Sequence, residues 1–214
     1  NMNPKITQDD IRTLTTITAL SGAAIQNALL YRETLKKQQI DQELRIATEI
    51  HTKLLPSQVP ELDRFLLGAI SIPARGLGGD YYDFFKLDDG KIGICVADIV
   101  GKGIAAGLFM AMLKSLLHSQ LQQVVSPKMA LKKINEVLFR DPVIDKFVPL
   151  FYAVLDPATM ILRYSNAGHE PALRYNGTEF EVLDTEGFPL GALLESEYGE
   201  HEIQLSDKDL VVFF

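Results

Sequence analysis

An α+β fold is predicted for this chain, and three features of the sequence predict it. A helical repeat of small and apolar residues occupies residues 8–55, two further helical stretches fall within residues 105–140, and most of the rest reads as short strands separated by turn residues. Strands and helices are grouped and do not alternate regularly, which favours α+β over a parallel doubly wound sheet. With 214 residues, 47% hydrophobic and 23% charged, the chain can bury one full core and carry an appendage.

The first helix is expected over residues 8–55, with Asp9 or Asp10 as its cap. Leu14, Ile17, Ser21, Ala24, Ala28, Tyr31 and Leu35 recur at spacings of three and four, and the stripe resumes at Ile40, Leu44, Ala47, His51 and Leu54. A helix with so little nearby to bury it pairs with a second copy, or else packs on its own domain. Pro56 and Pro60 end it, and a first strand is expected over residues 65–72.

The most informative stretch follows. Gly78-Gly79-Asp80-Tyr81-Tyr82-Asp83 leads into an apolar run, broken at Asp88-Asp89-Gly90, that ends in Ala97-Asp98-Ile99-Val100-Gly101-Lys102-Gly103. Two strands joined at that turn place Asp80 at the start of one and Asp98 at the end of the other, so a hairpin brings the carboxylates together. Crowded carboxylates are tolerated when solvated, when one is protonated, or when a cation lies between them. Oxygen-only ligands favour Mg²⁺ or Mn²⁺, and a surface hairpin with two turn aspartates is the other reading.

Helices are expected over residues 105–122, apolar nearly all round, and from Ser126-Pro127 to Arg140, with proline in the first turn. Strands follow at residues 150–155, 161–165, 174–176, 179–183, 200–205 and 209–214. The net charge of −7 argues against nucleic acid or an anionic membrane as partner. The single cysteine, Cys95, excludes an internal disulfide and reads as a packed residue in a reducing compartment, so the expected location is cytoplasmic.

Several motifs in order carry a resemblance. Pro73-Ala74-Arg75, the glycine-aspartate motif at Asp80, Asp98-Ile99-Val100-Gly101-Lys102-Gly103 with Ala105-Ala106, Phe147-Val148, Leu150-Phe151-Tyr152, Asn166-Ala167-Gly168-His169 with Pro171, and Gly187-Phe188-Pro189-Leu190-Gly191 together resemble the RsbU/SpoIIE-like branch of the PPM superfamily. These are bacterial metal-dependent serine phosphatases, and the resemblance covers residues 44–214. It implies an α-β-β-α sandwich and hydrolysis of phosphoserine or phosphothreonine through two Mn²⁺ or Mg²⁺ ions, with no phosphoenzyme. Asp80 and Asp98 are then metal ligands, Asp98 bridging both ions, and the Ile99 backbone carbonyl completes one coordination sphere. Arg75 is a candidate for gripping substrate phosphate in a bidentate fork, or else a surface arginine paired with a carboxylate. Asp83 is a turn or supporting residue, and His169 is a possible general acid or a histidine bonded to backbone.

The resemblance further implies a substrate such as a phosphorylated anti-sigma-factor antagonist of the STAS type, control by an upstream sensor, and a homodimer through the first helix. Residues 10–31 resemble the final helix of a GAF sensory domain. The organisation implied is therefore a GAF-like helix over residues 1–34, a helical linker over 35–56, and a PPM-type domain over 57–214 that is incomplete at its C-terminus. Two departures stand out. Val100 occupies the position where eukaryotic-type relatives carry a histidine, and the Thr/Ser-Asp-Gly segment that follows the last strand in the family is not in this sequence. Weak metal occupancy is expected in consequence, and a pseudophosphatase or dimerising module that binds without turnover is the alternative.

Overall fold

The structure is a computed structural model that describes residues 7–72, 79–99, 104–121, 126–140 and 147–214. The chain divides into two units, residues 1–44 and 45–214. Helix α1 is Gln8–Leu54. Its cap is Thr7, not Asp9 or Asp10. The Thr7 hydroxyl accepts the Asp10 N–H (3.2 Å), while the Asp10 carboxylate accepts the Thr7 N–H (2.8 Å) and hydroxyl (2.6 Å). This is a capping box with aspartate as the reciprocal partner, which satisfies amides the first turn cannot. In the first unit Ile11, Leu14, Ile17, Leu29 and Leu35 are exposed.

The second unit is built on a five-stranded antiparallel sheet in the order β1-β2-β3-β4-β7, with a three-stranded sheet β6-β5-β8 as a further layer. The strands are β1 Asp80–Lys86, β2 Ile92–Asp98, β3 Leu150–Asp156, β4 Ile161–Ala167, β5 Ala172–Tyr175, β6 Phe180–Leu183, β7 His201–Gln204 and β8 Leu210–Val212. The expected hairpin is present: β1 and β2 are joined by a 3-10 turn at Asp88–Gly90, where Asp89 and Gly90 have φ of 61° and 73°. An Asp-Gly pair enters that left-handed region at little cost.

Helices α2, Ile104–Leu121, and α3, Pro127–Arg140, cover one face of the large sheet. The pleat sorts β3 cleanly. Leu150, Tyr152 and Val154 face the helices, whereas Phe151, Ala153 and Leu155 face the second sheet. Helix α2 is not buried all round: Ala106, Met110, Leu113, Leu117 and Leu121 form a buried stripe, and Leu108 is 65% exposed. Each fully buried leucine of that stripe contributes about 1.5–3 kcal/mol. Among the described residues the layers are therefore helix, sheet and sheet, the first three of the sandwich. No described strand pairs with residues 65–72, correcting the strand expected there; Leu66, Ile70 and Ile72 are at least 80% exposed. Extended backbone becomes a strand only where a neighbour completes its ladder.

Candidate metal centre

Asp80 and Asp98 stand directly opposite each other across β1 and β2. They share a face of the sheet with Tyr82, Phe84, Ile94 and Val96, the face turned to the second sheet, while Tyr81, Phe85, Cys95 and Ala97 turn to the helices. The Ile99 N–H donates to the Gly79 carbonyl at 2.9 Å, which makes the neighbouring Asp80 and Asp98 a non-hydrogen-bonded pair. In antiparallel sheets such pairs bring Cα atoms to about 4.5 Å, the closest approach side chains make across a ladder.

Gly79 shows what converges beside them. A Cβ there would lie 2.6 Å from the Ile99 carbonyl oxygen and 2.9 Å from Asp98 Oδ1. The space glycine leaves is bounded by oxygen atoms, the donor set a hard divalent cation takes. Asp80, Asp98 and the Ile99 carbonyl offer oxygen donors of the type Mg²⁺ or Mn²⁺ takes, while among the described residues no group of three or more His, Cys, Asp or Glu side chains could hold a metal ion. Their backbones are held by separate elements: the Asp98 N–H donates to the Pro149 carbonyl at 3.1 Å, and His51 Nε2 donates to the Asp80 carbonyl at 3.1 Å.

Asp83 is neither a turn residue nor part of this cluster. It lies within β1, 3% exposed, with its side chain on the helix face. Lys114 Nζ, His118 Nε2 and the Tyr81 hydroxyl each donate to its Oδ2 at 2.7 Å, and the Phe84 N–H donates to Oδ1 at 2.8 Å. Burial pushes its carboxyl up, but the bonds from Lys114, Tyr81, His118 and the Phe84 amide outweigh burial and hold it below the usual range. Burial, reinforced by Cys95 and Asp83, keeps the Tyr81 phenol protonated, and burial does the same for the Cys95 thiol. Asp83 thereby ties α2 to β1.

The remaining motifs form a frame that ends at the site. Asn166 Nδ2 donates to the His169 carbonyl and to Asp184 Oδ1, and His169 Nδ1 is 3.1 Å from the Glu170 carbonyl, the backbone-bonded alternative for that histidine. Gly168, at φ 67°, packs so tightly on Pro189 that a Cβ would meet its ring at 2.7 Å. Leu190 bridges to Val148, and Pro149 next to it holds Asp98. Arg75, Gly78, Val100 and the Gly101-Lys102-Gly103 segment lie outside the described residues.

His51, Lys114 and His118 went unnoticed as partners of these acids. The available signal was polarity in the wrong place: His51 stands on the apolar stripe of α1, and Lys114 and His118 are spaced i, i+4 on an apolar helix.

A family model described as Stage II sporulation protein E (SpoIIE) matches residues 88–214. The chain belongs to that family. Among curated SpoIIE-like relatives, phosphoserine phosphatase RsbU of Bacillus subtilis is 34% identical over 180 residues, covering 83% of this chain and 53% of that protein. Phosphoserine phosphatase RsbP of the same organism is 25% identical over 178 residues, covering 80% of this chain and 44% of RsbP. The chain thus spans about half the length of these relatives. Two solved structures share the fold. The SiaA-PP2C domain of Pseudomonas aeruginosa gives a TM-score of 0.61 at 19% identity, covering 80% of this chain and 69% of that one. The PP2C phosphatase domain of SpoIIE from Bacillus subtilis gives 0.56 at 23%, covering 64% and 40%. The fold is therefore that of PP2C/PPM phosphatases.

Proposed function

We propose that this chain carries the catalytic region of a Mn²⁺- or Mg²⁺-dependent protein phosphatase that hydrolyses phosphoserine or phosphothreonine on a regulatory phosphoprotein. One observation carries the reading: the cross-strand pairing of Asp80 with Asp98, beside the oxygen-lined space at Gly79. Membership of the SpoIIE family and relatives named phosphoserine phosphatases support the reaction class. When bound, divalent ions supply Lewis acidity, neutralising phosphoryl charge and activating water. The chain's own part is to present Asp80, Asp98 and the Ile99 carbonyl together, with backbones fixed by Gly79, Pro149 and His51, so that little reorganisation accompanies reaction.

The partner assigned by resemblance is a phosphorylated anti-sigma-factor antagonist or similar STAS-domain protein. Control passes from a GAF-like segment over residues 1–34 through a helical linker over 35–56 to a phosphatase domain over 57–214. Exposed Ile11, Leu14, Ile17 and Leu35 on α1 support self-association, because a paired helix would bury them. No described helix is long and apolar enough to cross a membrane.

Phosphate release from a serine-phosphorylated protein by the full-length enzyme with Mn²⁺ tests the reading. Asp98→Asn removes the charge and keeps the shape, so turnover is expected to vanish with the fold intact. Normal turnover by that variant refutes the assignment. A pseudophosphatase would instead bind its partner and release no phosphate even unsubstituted.

A further inference from the structure

We propose that His51 is a positioning residue for the carboxylate pair, fixing the strand that bears Asp80 by donating its Nε2–H to the Asp80 carbonyl. This rests on the metal-site reading above. Among the described residues, strand β1 is the edge of the five-stranded sheet, bonded to β2 on one side only. Because the Gly79 carbonyl bonds to the Ile99 amide, the next carbonyl, that of Asp80, points away from β2. The ladder leaves it without a partner, and His51 Nε2 lies 3.1 Å from it. A carbonyl only accepts, so the ring proton is on Nε2.

The placement of His51 is specific. It is 1% exposed although polar, and Ala47 and His51, one turn apart, are the two buried residues of α1. In the adjacent position, Ile50 Cγ2 lies 3.6 Å from where a Cβ on Gly107 of α2 would be, and Leu54 and Leu55 pack on the helix-side core. The last turns of α1 therefore meet β1 through a hydrogen bond and α2 through apolar contact. An apolar side chain at position 51 would fill the space and leave the Asp80 carbonyl unpaired at the strand's first residue. That residue is the one whose carboxylate must stay opposite Asp98.

The experiment uses the whole chain, with Mn²⁺ alone as probe, and compares His51→Leu with His51→Gln, whose side-chain amide carries an N–H at similar reach. Free Mn²⁺ is followed by electron paramagnetic resonance, and amide exchange is measured without metal. In His51→Leu, Mn²⁺ affinity is expected to fall about tenfold to a hundredfold, as for other groups that orient metal ligands. The Ile99 amide is expected to exchange faster while that of Tyr152 in β3 does not. His51→Gln should retain the unsubstituted values on both. The proposal is overturned if His51→Leu matches the unsubstituted protein, or if His51→Gln is as impaired as His51→Leu. If His51→Leu does not fold, retention by His51→Gln supports the hydrogen bond and loss overturns it. If the unsubstituted chain binds Mn²⁺ too weakly to titrate, as its incomplete ligand set leads one to expect, the metal-free exchange alone decides whether His51 holds the strand.

Discussion

Replacing Gly79 by alanine probes the candidate centre without substituting a carboxylate. The new Cβ would sit 2.6 Å from the Ile99 carbonyl oxygen and 2.9 Å from Asp98 Oδ1, inside the 3.0 Å that Cβ atoms essentially never breach. The Asp98 oxygen ends a side chain and can rotate aside. The Ile99 oxygen belongs to backbone whose own N–H is bonded to Gly79 at 2.9 Å, so the strands themselves must part. Overpacking of this kind costs about 1–3 kcal/mol. In a domain of this size that is about 2–4 °C of melting temperature for each kcal/mol. Recovering ordinary contact moves the carbonyl from 2.6 Å towards 3.4 Å, whereas a metal ligand is placed to within about 0.2 Å, so Mn²⁺ affinity falls as well. Circular dichroism melting without metal and Mn²⁺ titration followed by electron paramagnetic resonance read the two effects separately. An unchanged melting temperature together with unchanged Mn²⁺ affinity would refute the geometry.

Other expectations follow from the same packing. Gly22 lies in α1 with nothing within 4 Å of its would-be Cβ, so Gly22→Ala should raise helix stability by about 0.5–1 kcal/mol, seen as helicity retained to higher temperature. Asp83→Asn loses the charge that Lys114 addresses; because the Lys114 side chain is 28% exposed, the loss at neutral pH should be about 1.5–3 kcal/mol rather than that of a fully buried pair. The folded-state pKa of Asp83 is depressed, so its contribution is complete above the ordinary value of 3.8 and is lost as pH falls below that. Acid titration of stability should accordingly be shallower in Asp83→Asn below about pH 4, and equal slopes would contradict the assignment. Asn135, 1% exposed, donates to the Leu193 and Leu194 carbonyls and accepts the Gly191 N–H. Asn135→Leu should cost about 1–3 kcal/mol by denaturant melting, since it removes three bonds to partly buried backbone groups; a loss below about 0.5 kcal/mol would mean that water replaces the side chain.

The sequence was most legible where local chemistry repeats. The hairpin bearing Asp80 and Asp98 could be read because an Asp-Gly turn and apolar alternation constrain neighbouring residues, and α2 and α3 emerged within one residue of expectation at most boundaries. Residues 65–72 were misread because strand propensity says nothing about whether a partner strand is present. For Asp83 the sequence left a turn residue and a supporting residue both open, because an aspartate after two tyrosines gives no hint of a lysine and a histidine arriving from a helix some thirty residues later.

By itself, the sequence determined the order of the helices and of the strands from residue 80 onward, the family resemblance and the two acids, since spacing and turn chemistry act over a few residues. Only the tertiary structure decided that Asp80 and Asp98 share a face as a close cross-strand pair, that the Ile99 carbonyl and Asp98 Oδ1 meet beside Gly79, and that His51 holds an edge carbonyl. Those placements depend on register and on packing between segments far apart in the chain, where a shift of one residue would turn each side chain to the opposite face.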